Sequence, residues 1–180
     1  MRNIRRVDSR FYVLLLIIAP LTSLVHEAAH WLTGVALGHT MSFSINGVGA
    51  AAGTSVRDHI LIAAAGPLVT LLQGIVAFML VRSRDSVAAY GVLFFALMMR
   101  ATAMGISLFH HNDEARISDL LGLGPWTLPS LMVGVLLILT VVASRCLRLG
   151  WKTNAAAYLV STVAITAIVM GDMAVKSWLG

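Results

Sequence analysis

The sequence predicts an all-α, polytopic membrane helix bundle of about five transmembrane helices, with a short β-hairpin between the first two. Three observations predict it. Hydrophobic residues make up 58% of the 180, charged residues only 12%, and the mean hydropathy is +0.87. Such a composition excludes a solvated globule. The apolar residues gather into five long runs, as hydrocarbon-spanning helices require. Between the first two runs the pattern changes to short polar–apolar alternation, which suits a hairpin and not a span.

The first run extends from about Phe11 to Leu37. It is too long for the apolar part of a cleaved signal peptide, and it carries polar residues where a signal is uniformly greasy. Those residues are His26, Glu27 and His30, which spell HEAAH, an HExxH motif. On a helix, positions four apart share a face, so both imidazoles can reach one zinc ion. Glu27, beside them, can handle the proton of a reacting water. In a chain with six His and two Glu, such a pattern arises by chance with a probability of about 0.2 per cent. Polar residues in a span are costly unless they act. The bland alternative is a satisfied polar cluster between helices.

The segment His39 to Ile45 alternates polar and apolar residues, Asn46-Gly47 is a strong hairpin signal, and Val48 to Thr54 is small and Gly-rich. A hairpin dipping toward the membrane fits, with an edge that can pair with an extended peptide. A plain surface loop is the alternative. The second run, about Ile60 to Val81, opens with Ala63-Ala64-Ala65-Gly66-Pro67. Small residues let helices approach closely, and Pro67 permits a kink. Thr70 and Gln73 follow on one side, as partners either for a neighbouring helix or for the groups around a metal. The third run, about Val87 to Leu108, contains Arg100, which suits pairing with an acid, snorkelling or a transporter counter-charge.

After it comes the densest polar cluster, His110 to Gly122. Asn112 or Asp113 can cap a short helix there. A catalytic zinc takes three protein ligands and keeps one open position. The first span offers two, and this loop emerges on the side of the bundle where they lie. Asp113 is the candidate for the third, with Glu114, His111 and His110 behind it. The fourth run, Leu128 to Ala143, is short enough to be tilted or partly sunk in the bundle, and the fifth covers Ala155 to Val175. A single domain over 1–180 is expected, its core at about 11–122 and two further spans at about 128–175.

Charge sets the orientation. Arg2, Arg5, Arg6, Arg10, Arg82, Arg84, Arg145, Arg148 and Lys152 fall at one end of the spans, against Arg57, Arg116 and Lys176 at the other. The positive-inside rule assigns the N-terminus to the cytoplasm and the C-terminus to the outside of a multi-pass protein of the cell membrane. The net charge of +5 therefore reads as topology and contact with the lipid bilayer, not as nucleic-acid binding. Trp31, Trp126, Trp151 and Trp178 lie near span ends, as an aromatic belt would. The single Cys146, within a basic loop, leaves no internal disulfide and no Cys-rich metal site.

HEAAH in the first core span, a small-residue hairpin, AAAGP opening the next span and an Asp-bearing motif after the third together resemble the site-2 protease family. These are intramembrane zinc metalloproteases that cut membrane-embedded or membrane-proximal peptides. The resemblance covers about residues 11 to 122. It implies that His26, His30 and Asp113 hold Zn2+ and that Glu27 is the catalytic base. The chain departs from the family pattern in having Thr70 where an Asn is usual and Glu114 where a Gly follows the liganding Asp. Its charge pattern also assigns the motif span the opposite direction to the best-known members. The implied partner is a membrane protein or peptide substrate, with selection resting on the bundle itself or on a regulatory membrane partner. Two other functions are compatible with the same residues. One is a metal-ion or proton transporter using them as a relay, although the inverted repeats common in transporters are not evident. The other is a catalytically inactive protease-like scaffold.

Overall fold

The computed structural model describes residues 7–50 and 52–179; Arg2, Arg5 and Arg6, assigned above to topology, lie outside the described residues. The chain runs α1 (Ser9–Ala36), β1 (Met41–Ser44), β2 (Gly47–Ala50), α2 (Val56–Arg84), α3 (Val87–Ile106), α4 (Asp113–Leu120), α5 (Thr127–Cys146) and α6 (Trp151–Leu179). All but α4 are long and apolar enough to cross a membrane. Their outward faces are uniformly greasy. Val13, Leu16, Ile17, Leu21 and Leu24 on α1, and Tyr158, Leu159 and Val163 on α6, are all exposed. In water such a surface would drive aggregation, whereas hydrocarbon covers it at no cost.

Several boundaries differ from the sequence expectation. The fourth span is not short: α5 has 20 residues. Its ends carry Thr127, Ser130, Ser144 and Arg145, which lower local hydropathy without breaking the helix. The third span stops at Ile106 and not at Leu108, where the Ser107 hydroxyl turns back onto the Ala103 carbonyl at 3.0 Å. Cys146 is the last residue of α5 and does not sit in a loop.

The hairpin forms between α1 and α2, but its turn is one residue earlier than Asn46-Gly47. Ser44 pairs with Gly47, so Ile45 and Asn46 make the loop. The local preference of Asn-Gly yields to the register of the whole hairpin, Met41 with Ala50 through Ser44 with Gly47. A Cβ on Gly34 would run into the Met41 side chain, so the glycine gives that side chain its seat against the helix. A pair between His39 Nε2 and Asp58 Oδ2 at 3.0 Å then ties the loop after α1 to the start of α2.

Chain alternation brings the start of α1, the end of α2, the start of α3, the end of α5 and the start of α6 to one end of the bundle. That end is packed tightly. Phe11 stacks on Tyr90 with ring centroids 6.3 Å apart, and Leu15, Val81, Leu93 and Leu136 are fully buried around them. Tyr90 donates to Asn154 at 2.8 Å, and Asn154 donates to Ser144 at 2.9 Å, joining α3, α6 and α5. The opposite end is more polar. It holds the hairpin, α4 and the last turns of α1.

Candidate metal centre

His26 and His30 lie in the later part of α1, on one face and buried. At 1.5 Å per residue they are roughly 9–15 Å from the end of that helix, within membrane depth. α2 crosses directly over them. A Cβ on Gly66 would collide with both imidazoles, so the glycine of AAAGP is what allows the two helices to close on the motif. Pro67 leaves the adjoining turn of α2 with a helical hydrogen bond unmade. The carbonyl so freed is that of Ala63; the one before it, Ile62, accepts a hydrogen bond from His30 Nδ1 at 2.6 Å.

α4 brings in the third side chain. Asn112 caps it, its side chain accepting from Ala115 N at 3.3 Å, which leaves the Asp113 carboxylate free to point inward. Asp113 Oδ2 lies 3.5 Å from His26 Nε2 and 3.2 Å from His30 Nε2. The two Nε2 atoms are 3.1 Å apart. Four donors at ordinary zinc distances on a tetrahedron are separated by about 3.3 Å. The three atoms thus form one face of a zinc-sized tetrahedron.

The tautomers sharpen the point. Thr70 donates its hydroxyl proton to the Gly66 carbonyl at 3.0 Å. Its oxygen is left to accept from His26 Nδ1, 3.0 Å away. His30 Nδ1 must likewise carry a proton to donate to Ile62. Each ring so fixed presents a bare Nε2 lone pair to the same point as a carboxylate oxygen. Three acceptors facing one another repel unless something positive sits among them; Arg100 Nη2 approaches one of them, His26 Nε2, only at 3.5 Å, which leaves the centre of the triangle for a proton or a metal ion. Asp113 is the most open of the three, its side chain 29% exposed against 3% for His26 and 7% for His30. The triangle is open on the Asp113 side.

The other candidates from the loop stand apart from this group. His110, His111 and Asp119 are exposed. Glu114 is buried and turned away, pairing with Arg100 Nη1 at 3.0 Å. Among the described residues, His26, His30 and Asp113 form the group of donors that can converge on one ion, within 4.8 Å of one another. Gln73 is not among its partners, and its buried Oε1 has no hydrogen bond.

Glu27 lines a cavity of about 300 Å³ together with His26, Arg100, Asn46 at the hairpin tip, and Ile165, Ile168 and Val169 of α6. The wall is apolar except at the motif end. Around the triangle, Glu27, Asp113 and Glu114 gather near a single guanidinium, Arg100, which Glu114 already engages, so acids outnumber cations in the cluster. A divalent cation would neutralise it. The residues fit zinc by donor type, spacing and charge.

Sequence reasoning missed three supports of this site. The Arg100–Glu114 pair joins positions 14 apart across a loop, with nothing in the spacing to announce it. The Ile62 carbonyl is backbone and has no residue code. Gly66 stands in the sequence as one of a run of small residues that let helices approach, and its specific contact with the two imidazoles has no spacing to announce it. No protein-family model, curated protein or solved structure matches this chain.

Proposed function

We propose that this chain is an intramembrane zinc metalloprotease of the site-2 protease type, a multi-pass protein of the cell membrane that hydrolyses peptide bonds of membrane-embedded or membrane-proximal substrates. The observation that carries the reading is the convergence of two oriented imidazole lone pairs and a carboxylate oxygen on one point beside a cavity lined by Glu27. Two histidines and a carboxylate are a known ligand set for hydrolytic zinc, with a position left for water.

A zinc ion held there supplies a Lewis acid and makes water acidic enough to react near neutral pH. Glu27 does not belong to the donor triangle, so its carboxylate accepts the proton of the attacking water and later gives it to the leaving nitrogen. Thr70 and the Ile62 carbonyl hold the rings in the tautomer that keeps Nε2 unprotonated. The cavity's apolar wall on α6 suits an unwound stretch of a membrane segment. Unwinding is required, because a helical amide is shielded by its own hydrogen bonds. The exposed edge of the hairpin, beside the cavity mouth, offers an extended peptide a strand to pair with. A transport reading gains no comparable support, since Phe11, Leu15, Tyr90 and Leu93 fill the bundle beyond the triangle.

The test is zinc content together with cleavage of a model transmembrane peptide in detergent or vesicles. Wild-type protein is expected to carry one zinc per chain and to cut. Glu27→Gln is expected to keep the zinc and lose turnover by at least about a hundredfold. Undiminished turnover in that variant removes the protease reading.

A further inference from the structure

Arg100 is a buried cation in the middle of a span, and it is only partly used. Its side chain is 5% exposed. Nη1 is committed to Glu114 at 3.0 Å. Nη2 makes only a long contact, 3.5 Å, with His26 Nε2. Nε is buried with no partner at all. The residue also lines the cavity that Glu27 lines. A guanidinium carries five N–H donors in a fixed fork, and leaving them unspent away from water is expensive. Pairing with Glu114 explains why the charge is tolerated. It does not explain why the rest of the fork is turned to the ligand triangle and the cavity.

We infer that Arg100 is a catalytic residue, the cationic donor for the oxyanion that develops on the scissile carbonyl, with Glu114 as the positioning residue that holds its fork. The inference rests on the protease reading above. Three features carry it. First, the guanidinium lies at the edge of the donor triangle, 3.5 Å from His26 Nε2, and lines the same cavity as Glu27, so it is next to the position a reacting carbonyl has to take. An arginine that anchors the terminal carboxylate of a substrate would stand at least a residue's length away along the cavity. Second, Glu114 holds the fork from α4, the same helix that supplies Asp113 one position earlier. The ligand and the brace of the arginine are therefore fixed together. Third, donors preorganised in a water-poor site are the most effective means of stabilising charge that forms during reaction. When water adds to the carbonyl carbon, the C=O π electrons pass to oxygen while Glu27 takes the proton. The new negative charge falls beside Arg100. Collapse returns the pair to the carbonyl, breaks the C–N bond and sends the proton from Glu27 to nitrogen.

The experiment compares wild type, Arg100→Lys, Arg100→Met and the charge-balanced double variant Arg100→Met/Glu114→Gln in zinc-loaded protein. Three quantities are read: zinc content, kcat and KM on an internal transmembrane peptide, and affinity for a phosphinic peptide whose anionic P–O⁻ mimics the tetrahedral oxyanion. Zinc content and KM are expected to stay near wild type in the double variant. Its kcat is expected to fall about 10²–10³-fold, with phosphinate affinity falling alongside. Arg100→Lys, which keeps the charge but not the fork, should recover part of both. Equal losses of cleavage with amidated and free C-termini mark an oxyanion role, whereas a loss confined to free C-termini would mean carboxylate anchoring and overturn the inference. Full kcat and full phosphinate affinity in the double variant would overturn it too, as would loss of kcat with phosphinate affinity unchanged. If wild type neither cleaves nor binds the phosphinate, the protease reading itself falls. If it does both and the double variant matches it, only the role of Arg100 falls.

Discussion

At the scale of single residues, neighbouring acids in one short helix have opposite fates. Asp113 and Glu114 differ by one position, and the turn of a helix sends one toward the histidines and the other toward Arg100. Sequence spacing singles out His26 and His30, because i and i+4 share a face whatever the tertiary fold. It offers four candidates from the loop and cannot rank them fully, because the direction of each side chain depends on where α4 begins. Asn112 decides that start by taking the cap. Removing either acid should therefore give different losses. Asp113→Asn is expected to lower zinc affinity strongly, since two imidazoles alone do not close a three-donor set. Glu114→Gln should leave zinc bound and instead destabilise the fold by about 3–5 kcal/mol, the usual result of stranding a buried charge. Metal titration and thermal unfolding of the two variants separate the outcomes, and loss of zinc in Glu114→Gln alone would reverse the assignment. Thr70 stands one layer further out. Thr70→Val keeps its shape but takes away the oxygen that receives His26 Nδ1. Zinc affinity should drop about 10–100-fold, as when the outer partner of a liganding histidine is lost. An unchanged affinity would mean that the tautomer is set by something else.

At the scale of elements, α4 is a short lever on the whole site. Eight residues long, it is too brief to be stable by propensity, and its position comes from its cap, its buried Ile117 and the packing of Ser118 on the Gly124 carbonyl. Asn112→Ala is expected to cost about 1 kcal/mol, typical of a lost N-cap. The same change should cost more in the zinc-loaded protein than in the metal-free one, because fraying the first turn displaces Asp113. Melting curves with and without zinc check this, and equal losses in both states would detach α4 from metal binding. The long elements were legible from hydropathy alone, and the hairpin from polar–apolar alternation and Asn46-Gly47, although these left a plain loop as the alternative. Their edges were less so. Hydropathy undercounts α5 because polar Thr127 and Ser144 belong to the helix. It overcounts α3 because Ser107 ends the helix while Leu108 continues the greasy run. The hairpin turn lies one residue before Asn46-Gly47, because Asn-Gly preference is local and the register is settled by the pairing of the whole hairpin, Met41 with Ala50 through Ser44 with Gly47. The Arg100–Glu114 pair was legible only as a choice among roles, since pairing across a loop has no period to read.

At the scale of the whole molecule, most of the basic residues and the polar site occupy opposite ends. Arg10, Arg82, Arg84, Arg145, Arg148 and Lys152 ring the tightly packed end, while the hairpin, α4 and the donor triangle lie toward the other. Basic residues flanking short loops stay in the cytoplasm, so the triangle should open to the outer side of the membrane. The chain carries its own reporter. Cys146 is the single cysteine, it is exposed, and it closes α5 at the arginine-rich end. In intact cells a membrane-impermeant thiol reagent is expected to leave Cys146 unlabelled, and to label it in inverted vesicles. The reverse pattern is expected for Asp119→Cys on a Cys146→Ser background, because Asp119 is exposed on α4 at the other end. Both substitutions spare the donor triangle, so zinc content should stay at the wild-type level and confirms that the labelled protein is folded. Labelling of Cys146 from outside, together with protection of Asp119→Cys, would invert the orientation. The site would then face the cytoplasm, and the outer-leaflet substrate side inferred from charge would have to be abandoned, while the metal chemistry, which depends only on distances within the bundle, would stand unchanged.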